Sequence, residues 1–313
     1  MDHPFHPGRQ QMEPIKSPFP ITTLDGRVLF SAGEFISRER IDALIADSPP
    51  FSPKVWPVLD YGSIKQDLLF FISSPPYNLI FEGSEGATEL LEIMKHIELA
   101  EPVLEMLDYF EANDFFTYRH MLMVFALTVL IARYLVPEYR TRVSESAYGP
   151  THDFGKICVP LEILRKKDPL TWHELQHLRH HALAGYVLLS YYLKDPDSTA
   201  ALVARDHHER RDNSGYPRGI AVDDRIVEIV TVCDIYDALI SMRPYRSASY
   251  DNRTALEILT DMADSGEIDG LIVKTLIAHN RRSKPEPGQT IVSGEKRGEP
   301  PQGNCYGVLA SDN

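Results

Sequence analysis

Apolar and polar positions follow two different rhythms along this chain. From residue 86 to 135, through "GATELLEIMKHIELAEPVLEMLDYFEANDFFTYRHMLMVFALTVLIARYL", apolar side chains recur every three to four positions, the spacing of helices with a buried face. The same period predicts helices over 171–194, 197–209, 223–240, 252–264 and 268–281. Thr171 followed by Glu174 has the spacing of a capping box, which marks a helix start.

Upstream the rhythm changes. Between Ile21 and Ser37 apolar residues lie on both sides of Asp25-Gly26, a hairpin turn signal, and "RERIDALIAD" then reads as a short helix. Prolines interrupt the pattern around 49–57 and 74–76. Both ends lack periodicity: the first residues are polar and Pro-rich, and beyond Arg282 the stretch "SKPEPGQTIVSGEKRGEPPQGNCYG" is rich in Pro and Gly. The expected architecture is mainly α, with a flexible arm at 1–18 and a small α+β regulatory or dimerising domain at 19–97. An all-helical domain at 98–283 and a disordered tail at 284–313 complete it.

Composition narrows the classes of function. A length of 313 residues with 43% hydrophobic content permits one large core and a smaller one. Acidic residues outnumber basic ones by 45 to 32, a formal charge of −13, which argues against a broad grip on long nucleic acid. A small anion is still compatible with that balance where metals or local cations reverse the field. Cys158, Cys233 and Cys305 form no CxxC and no paired spacing, which fits a reducing cytoplasm and no disulfide framework. The uncharged run from Met121 to Ala132 falls short of the about 20 residues a bilayer requires, so a buried helix is expected and no membrane span. No signal-peptide apolar core stands at the N-terminus.

The candidate chemistry lies in the helical region. In "THDFGK", His152 and Asp153 are adjacent donors suited to a divalent transition metal, with Lys156 one turn on as a point charge for a phosphate oxygen. His120 heads an apolar helix, where a core histidine is the plainer reading. In the run around "LRHHALAG", His177 and His181 share a helix face, itself a metal-pair spacing, and His180 adjoins them. On a regular helix His207 and His208 point about 100° apart, which suits two metals, or a metal and a substrate, better than one ion held by both. Gly215-Tyr216-Pro217 follows as a rigid turn, where glycine lets backbone approach an anion and tyrosine offers a hydroxyl. Asp234 on an apolar helix needs a partner, and a metal ion or a salt bridge to Arg243 would each supply one. Arg243 and Arg246 have the fork geometry for phosphate.

The order of these motifs resembles that of the HD-GYP family, helical phosphodiesterases of the HD superfamily. The resemblance rests on His120, His152-Asp153-x-Gly155-Lys156, His181, His207-His208, Asp212-x-Ser214, Gly215-Tyr216-Pro217, Asp234 and Arg243-Pro244-Tyr245-Arg246, and it spans about 95–283. It singles out His181 over its neighbours, because Gly185 stands four residues later. It implies a domain that holds two or three iron or manganese ions and hydrolyses cyclic di-GMP to pGpG or GMP. Carried over, the metal ligands are His120, His152, Asp153, His181, His207, His208 and Asp234, with Asp153 bridging. Lys156, Tyr216, Arg243 and Arg246 are then the contacts to substrate phosphates, and Lys156 a candidate donor to the leaving oxygen.

Some positions depart from the pattern. Where certain members place a glutamate four residues before the first histidine, this chain has Phe116, so two metals are expected rather than three. Asn213 replaces a usual glycine, a mild change because asparagine tolerates positive φ. "YGPT" before the HD pair predicts a helix that begins late, near Thr151. The leading expectation is a cytoplasmic bacterial cyclic di-GMP phosphodiesterase that can form a homodimer. The alternatives are the same chemistry on cyclic GMP-AMP and a catalytically silent cyclic di-GMP sensor or docking protein.

Overall fold

A computed structural model describes residues 13–48, 54–82, 86–138, 151–243, 248–302 and 309–310. Four short strands open the chain: β1 (Ile15–Lys16), β2 (Ile21–Thr22), β3 (Val28–Phe30) and β4 (Phe35–Ile36). β2 and β3 form the expected antiparallel hairpin, and Gly26 turns it at φ 82°, where a side chain would be strained. β1 pairs with β4, and Ser17 beyond it is buried, so the described part of the 1–18 arm is held by a ladder rather than loose. Residues 1–12 lie outside the described set. A second antiparallel ribbon joins β5 (Val55–Pro57) to β6 (Glu98–Ala100).

Helix α1 (Arg38–Ala46) begins where Ser37 accepts a hydrogen bond from the Arg40 amide. There follow α2 (Ile64–Ser73), α3 (Gly86–Met94), α4 (Glu101–Asn113) and α5 (Phe115–Leu135). A single turn, Asn78–Phe81, lies between α2 and α3. Beyond residue 151 come α6 (Trp172–Arg179), α7 (His181–Leu193), α8 (Thr199–Asp206), α9 (Arg225–Ile240), α10 (Asn252–Asp264) and α11 (Gly270–His279). The capping box of Thr171 and Glu174 opens α6. The continuous helix expected over 171–194 is instead two, with His180 ending the first and heading the second.

The fold is mainly α, with α5 at its centre. This helix packs on α2, α3, α4, α9 and α11, and every side chain from Met121 to Ala132 is buried. It is long and apolar enough to cross a membrane, yet 83% of its most apolar window is buried inside the fold. Burial of each such large apolar side chain contributes roughly 1.5–3 kcal/mol. The buried apolar cluster runs without a break from Ile21 to Ile277, so the N-terminal region and the helical region share one core.

The tail carries one short turn, Pro287–Gln289, but it is tied down. Lys284 donates to the carbonyls of His279 (2.6 Å) and Ile80 (3.0 Å), and the Gly298 amide donates to Glu257 (2.8 Å). A Cβ at Gly298 would lie 2.4 Å from the Thr254 hydroxyl, so the chain passes α10 closer than a larger residue allows.

Candidate metal centre

Five separate segments deliver the candidate ligands to one buried place. α5 contributes His120, and α9 contributes Asp234 from the helix it packs against. His181 is the first residue of α7, and His207 and His208 follow the end of α8. His152 and Asp153 stand on a turn that runs into a 3-10 segment, Phe154–Cys158, tighter than the α-helix expected from Thr151. The tight turn needs glycine. A Cβ at Gly155 would lie 1.9 Å from the His181 carbonyl oxygen and 2.4 Å from the Gly185 nitrogen. Gly155 and Gly185 thus let the turn touch the backbone of α7, which brings Asp153 beside His181.

The donors form two groups, each with one ligand atom per residue and those atoms within 4.8 Å of one another. Asp153, His181, His207 and His208 make the first, and His120, His152 and Asp234 the second. The Asp153 carboxylate stands between them. Its Oδ1 lies 3.3 Å from His181 Nε2 and 3.9 Å from His207 Nε2, while Oδ2 lies 3.6 Å from both His120 Nε2 and His152 Nε2. Lys156 Nζ sits 2.5 Å from the same Oδ2.

Hydrogen bonds at the outer ring nitrogens show what the inner ones offer. His181 Nδ1 lies 2.6 Å from the Leu178 carbonyl, and His207 Nδ1 lies 3.0 Å from those of Val203 and Ala204. A carbonyl only accepts, so each Nδ1 carries the proton and each Nε2 presents a lone pair. Yet these two Nε2 atoms face each other at 3.4 Å, with His208 Nε2 a further 3.1 Å from His181 Nε2 and a carboxylate oxygen alongside. Acceptors aimed at one another repel unless a cation sits among them. His152 Nε2 is buried with no hydrogen-bond partner among the described residues, a second orphan of the same kind. The donor set therefore fits divalent metal ions.

The electrostatics agree. Burial holds His152 and His181 down at about 3, and it lowers His207 and His208 as well, so these imidazoles stay neutral and able to ligate. His120 goes the other way. Burial and the nearby Arg243 charge would lower it, but its hydrogen bonds to Asp234 and Asp237 outweigh them and raise it. Asp153 is fully buried, which would raise it, yet Lys156 and the surrounding histidines hold it well below the usual carboxylate range.

The sequence reading assigned the adjacent pair His207-His208 to separate tasks. Both belong to the first group, their rings lying 4.0 Å apart at 44°. His177 is no partner of His181: its ring stacks on Phe19 at 3.8 Å and its Nε2 meets the Cys158 carbonyl. His180 turns toward Phe19 instead, with ring centroids 5.7 Å apart. Asp234 meets His120 Nε2 at 2.9 Å and His208 Nδ1 at 3.9 Å.

Gly215 performs a different task from the one expected. A Cβ there would lie 2.4 Å from both the His208 carbonyl oxygen and the Glu209 Cα, so the glycine lets the loop press on the ligand segment itself. The Tyr216 amide donates to the His208 carbonyl, its ring stacks on the His208 ring at 4.6 Å, and the Arg179 guanidinium lies 5.0 Å from that ring. Asp212 accepts from the amide and hydroxyl of Ser214, an exposed turn away from the ligands. Arg243 is half-buried and its charge reaches His120 and Asp237. Arg246 lies outside the described residues. Phe116 is 39% exposed, one turn before His120.

Three residues went unassigned in the sequence reading. Asp237 accepts from His120 Nδ1 at 2.6 Å, and its signal was position, one turn after Asp234 on α9. Tyr77 donates to Asp237, across 160 residues of chain, with no sequence signal. Glu209 accepts from the amides of Arg218 (2.6 Å) and Ile220 (3.1 Å) and so clamps the loop after Pro217.

Residues 129–272 match the family model of the HD domain, an interval that holds every candidate ligand except His120. The cyclic di-GMP phosphodiesterase response regulator RpfG of Xanthomonas campestris is 42% identical over 122 residues, 38% of this chain and 32% of that protein. A cyclic di-GMP phosphodiesterase of Pseudomonas aeruginosa is 33% identical over 199 residues, 61% of this chain and 46% of its own length. The 3'3'-cGAMP-specific phosphodiesterase 1 of Vibrio cholerae is 27% identical over 209 residues, again 46% of its length and 66% of this chain. The chain thus spans a third to just under half of these relatives.

Proposed function

We propose that this chain, whose helical part belongs to the HD-GYP family, is a metal-dependent phosphodiesterase that hydrolyses cyclic di-GMP to pGpG. One observation carries the reading: a single buried carboxylate, Asp153, turns one oxygen toward each of two groups of metal-type donors. Two divalent ions, iron or manganese, are the fitting occupants. His181, His207 and His208 would hold one, His120, His152 and Asp234 the other, with Asp153 shared. When bound, such ions lower the pKa of water and neutralise charge on the transferring phosphoryl group.

The protein's own groups account for the remainder. Burial keeps His152, His181, His207 and His208 neutral, and hydrogen bonds to carbonyls orient His181 and His207 before any substrate arrives. Lys156 is 14% exposed at its side chain beside Asp153, so its ammonium suits a phosphate oxygen or the leaving oxygen. Arg243 and Arg246 are assigned to the phosphates, as is Tyr216. Stacking on His208 gives Tyr216 a further task, which is to fix that imidazole's plane.

The Vibrio relative supports a second reading with the same chemistry on cyclic GMP-AMP. The test is anaerobic purification with iron or manganese, a metal count per chain, and chromatography of both cyclic dinucleotides. Turnover of cyclic di-GMP that drops at least about a thousandfold in Asp153→Ala, a loss typical of removing a group that acts throughout a metal-assisted step, supports the leading reading. Faster cleavage of cyclic GMP-AMP selects the second. Tight binding without product, at full metal loading, makes the chain a sensor.

A further inference from the structure

Behind His120 lies a chain of contacts that leaves the helical region. His120 Nδ1 faces Asp237 Oδ2 at 2.6 Å, and Nδ1–H is the donor, since a deprotonated carboxylate only accepts. The other oxygen of Asp237 accepts from the hydroxyl of Tyr77. Tyr77 is fully buried and stands at the start of the turn Asn78–Phe81. Arg119, the neighbour of His120, lies over the Tyr77 ring at 5.2 Å and over Phe71 of α2 at 5.7 Å. Lys284 in turn ties the carbonyls of Leu79 and Ile80 to that of His279 on α11.

We infer that Tyr77 is a positioning residue for the metal centre and that it acts on one group only. Its hydroxyl fixes the rotation of Asp237, and Asp237 fixes the tautomer and plane of His120, so that Nε2 points at Asp234 and Asp153. The first group has no such dependence. The outer nitrogen of His181 meets the Leu178 carbonyl in the last turn of α6, and that of His207 meets the Val203 and Ala204 carbonyls of α8, all three or four residues back in the chain. A segment from the N-terminal region therefore sets the affinity of the His120 ion and leaves the His181 ion untouched. The inference rests on the two-ion reading of the site but not on any nucleotide substrate.

The test is a titration of the metal-free full chain with Mn²⁺, with the free ion followed by its EPR signal. Tyr77→Phe keeps the ring and loses the donor, and it should weaken one of two ions about tenfold, the low end for loss of such a support, while the other stays within about twofold. Asp237→Asn should weaken the same ion, by about a hundredfold. The double variant should be no weaker than Asp237→Asn alone, because both act through one contact. Equal weakening of both ions, no weakening, or additive losses would overturn the inference. So would a Tyr77→Phe chain that fails to fold, since the hydroxyl would then serve the core. Fewer than two ions in the unaltered chain sinks this inference and the two-ion centre together, whereas two ions without cleavage of cyclic di-GMP sinks the proposed activity alone.

Discussion

His181 and His207 are oriented by carbonyls three or four residues back in the chain, whereas His120 is oriented by a carboxylate from α9 and, behind it, a phenol from far upstream. Both devices achieve the same end, a protonated outer nitrogen and a bare inner one. They differ in what can disturb them. The local device fails only if its helix end or the turn packed on it moves. The distant device fails with any loss of register between the N-terminal region, α5 and α9. One centre thus contains a rigid half and a half that reports on tertiary packing.

Several measurements would break or sharpen that contrast. The largest effect is expected from Gly155→Ala, because the new methyl meets backbone at 1.9 Å and the turn must retreat from α7. We expect a stability loss of about 3 kcal/mol or more by chemical denaturation, an overpacking cost against atoms that cannot rotate away. It should be accompanied by loss of the ion held by Asp153, His181, His207 and His208.

Acid comes next. His152, His181, His207 and His208 are lowered in the fold, so below the unfolded value near 6.5 the unfolded chain binds protons that the native chain refuses. Stability should therefore fall as pH falls. His120, raised in the fold, binds its proton first and offsets one of the four. Metal-free protein should lose at least about 2 kcal/mol between pH 7 and 6. Denaturant midpoints that are flat across that range would contradict the neutral-imidazole account.

Thr171→Ala acts at the start of α6, the end away from the Leu178 carbonyl that orients His181. It removes the capping box of α6 and should cost about 1 kcal/mol, with the metal count unchanged. A fall in bound metal would mean that loosening the start of α6 reaches the Leu178 carbonyl that orients His181 at its other end. Smallest in stability is Phe116→Glu, an exposed change expected to shift stability by less than about 0.5 kcal/mol. It should raise the Mn²⁺ capacity from two ions to three, and an unchanged count would remove Phe116 as the reason for two.

The sequence announced donors better than it announced their supports. His152-Asp153 and His207-His208 were legible because ligand chemistry demands particular side chains, and their order along the chain matched a family. Helix starts were legible for the same kind of reason, as with Thr171 and Glu174. Tyr77 was invisible because a buried tyrosine is ordinary core until its hydroxyl partner is known. The separate fates of His177, His180 and His181 depend on the break at His180, which periodicity alone runs straight through. Gly215 looked like room for an anion and proved to be room for the protein's own backbone.

The uninterrupted interior from Ile21 to Ile277 bears on how such chains diversify. A recombination joint near residue 97 would strip apolar partners from α5 and, with Tyr77, the phenol from Asp237. Any replacement module must bring its own cover and its own donor, so exchange of the upstream half is a graft rather than a swap of beads on a string.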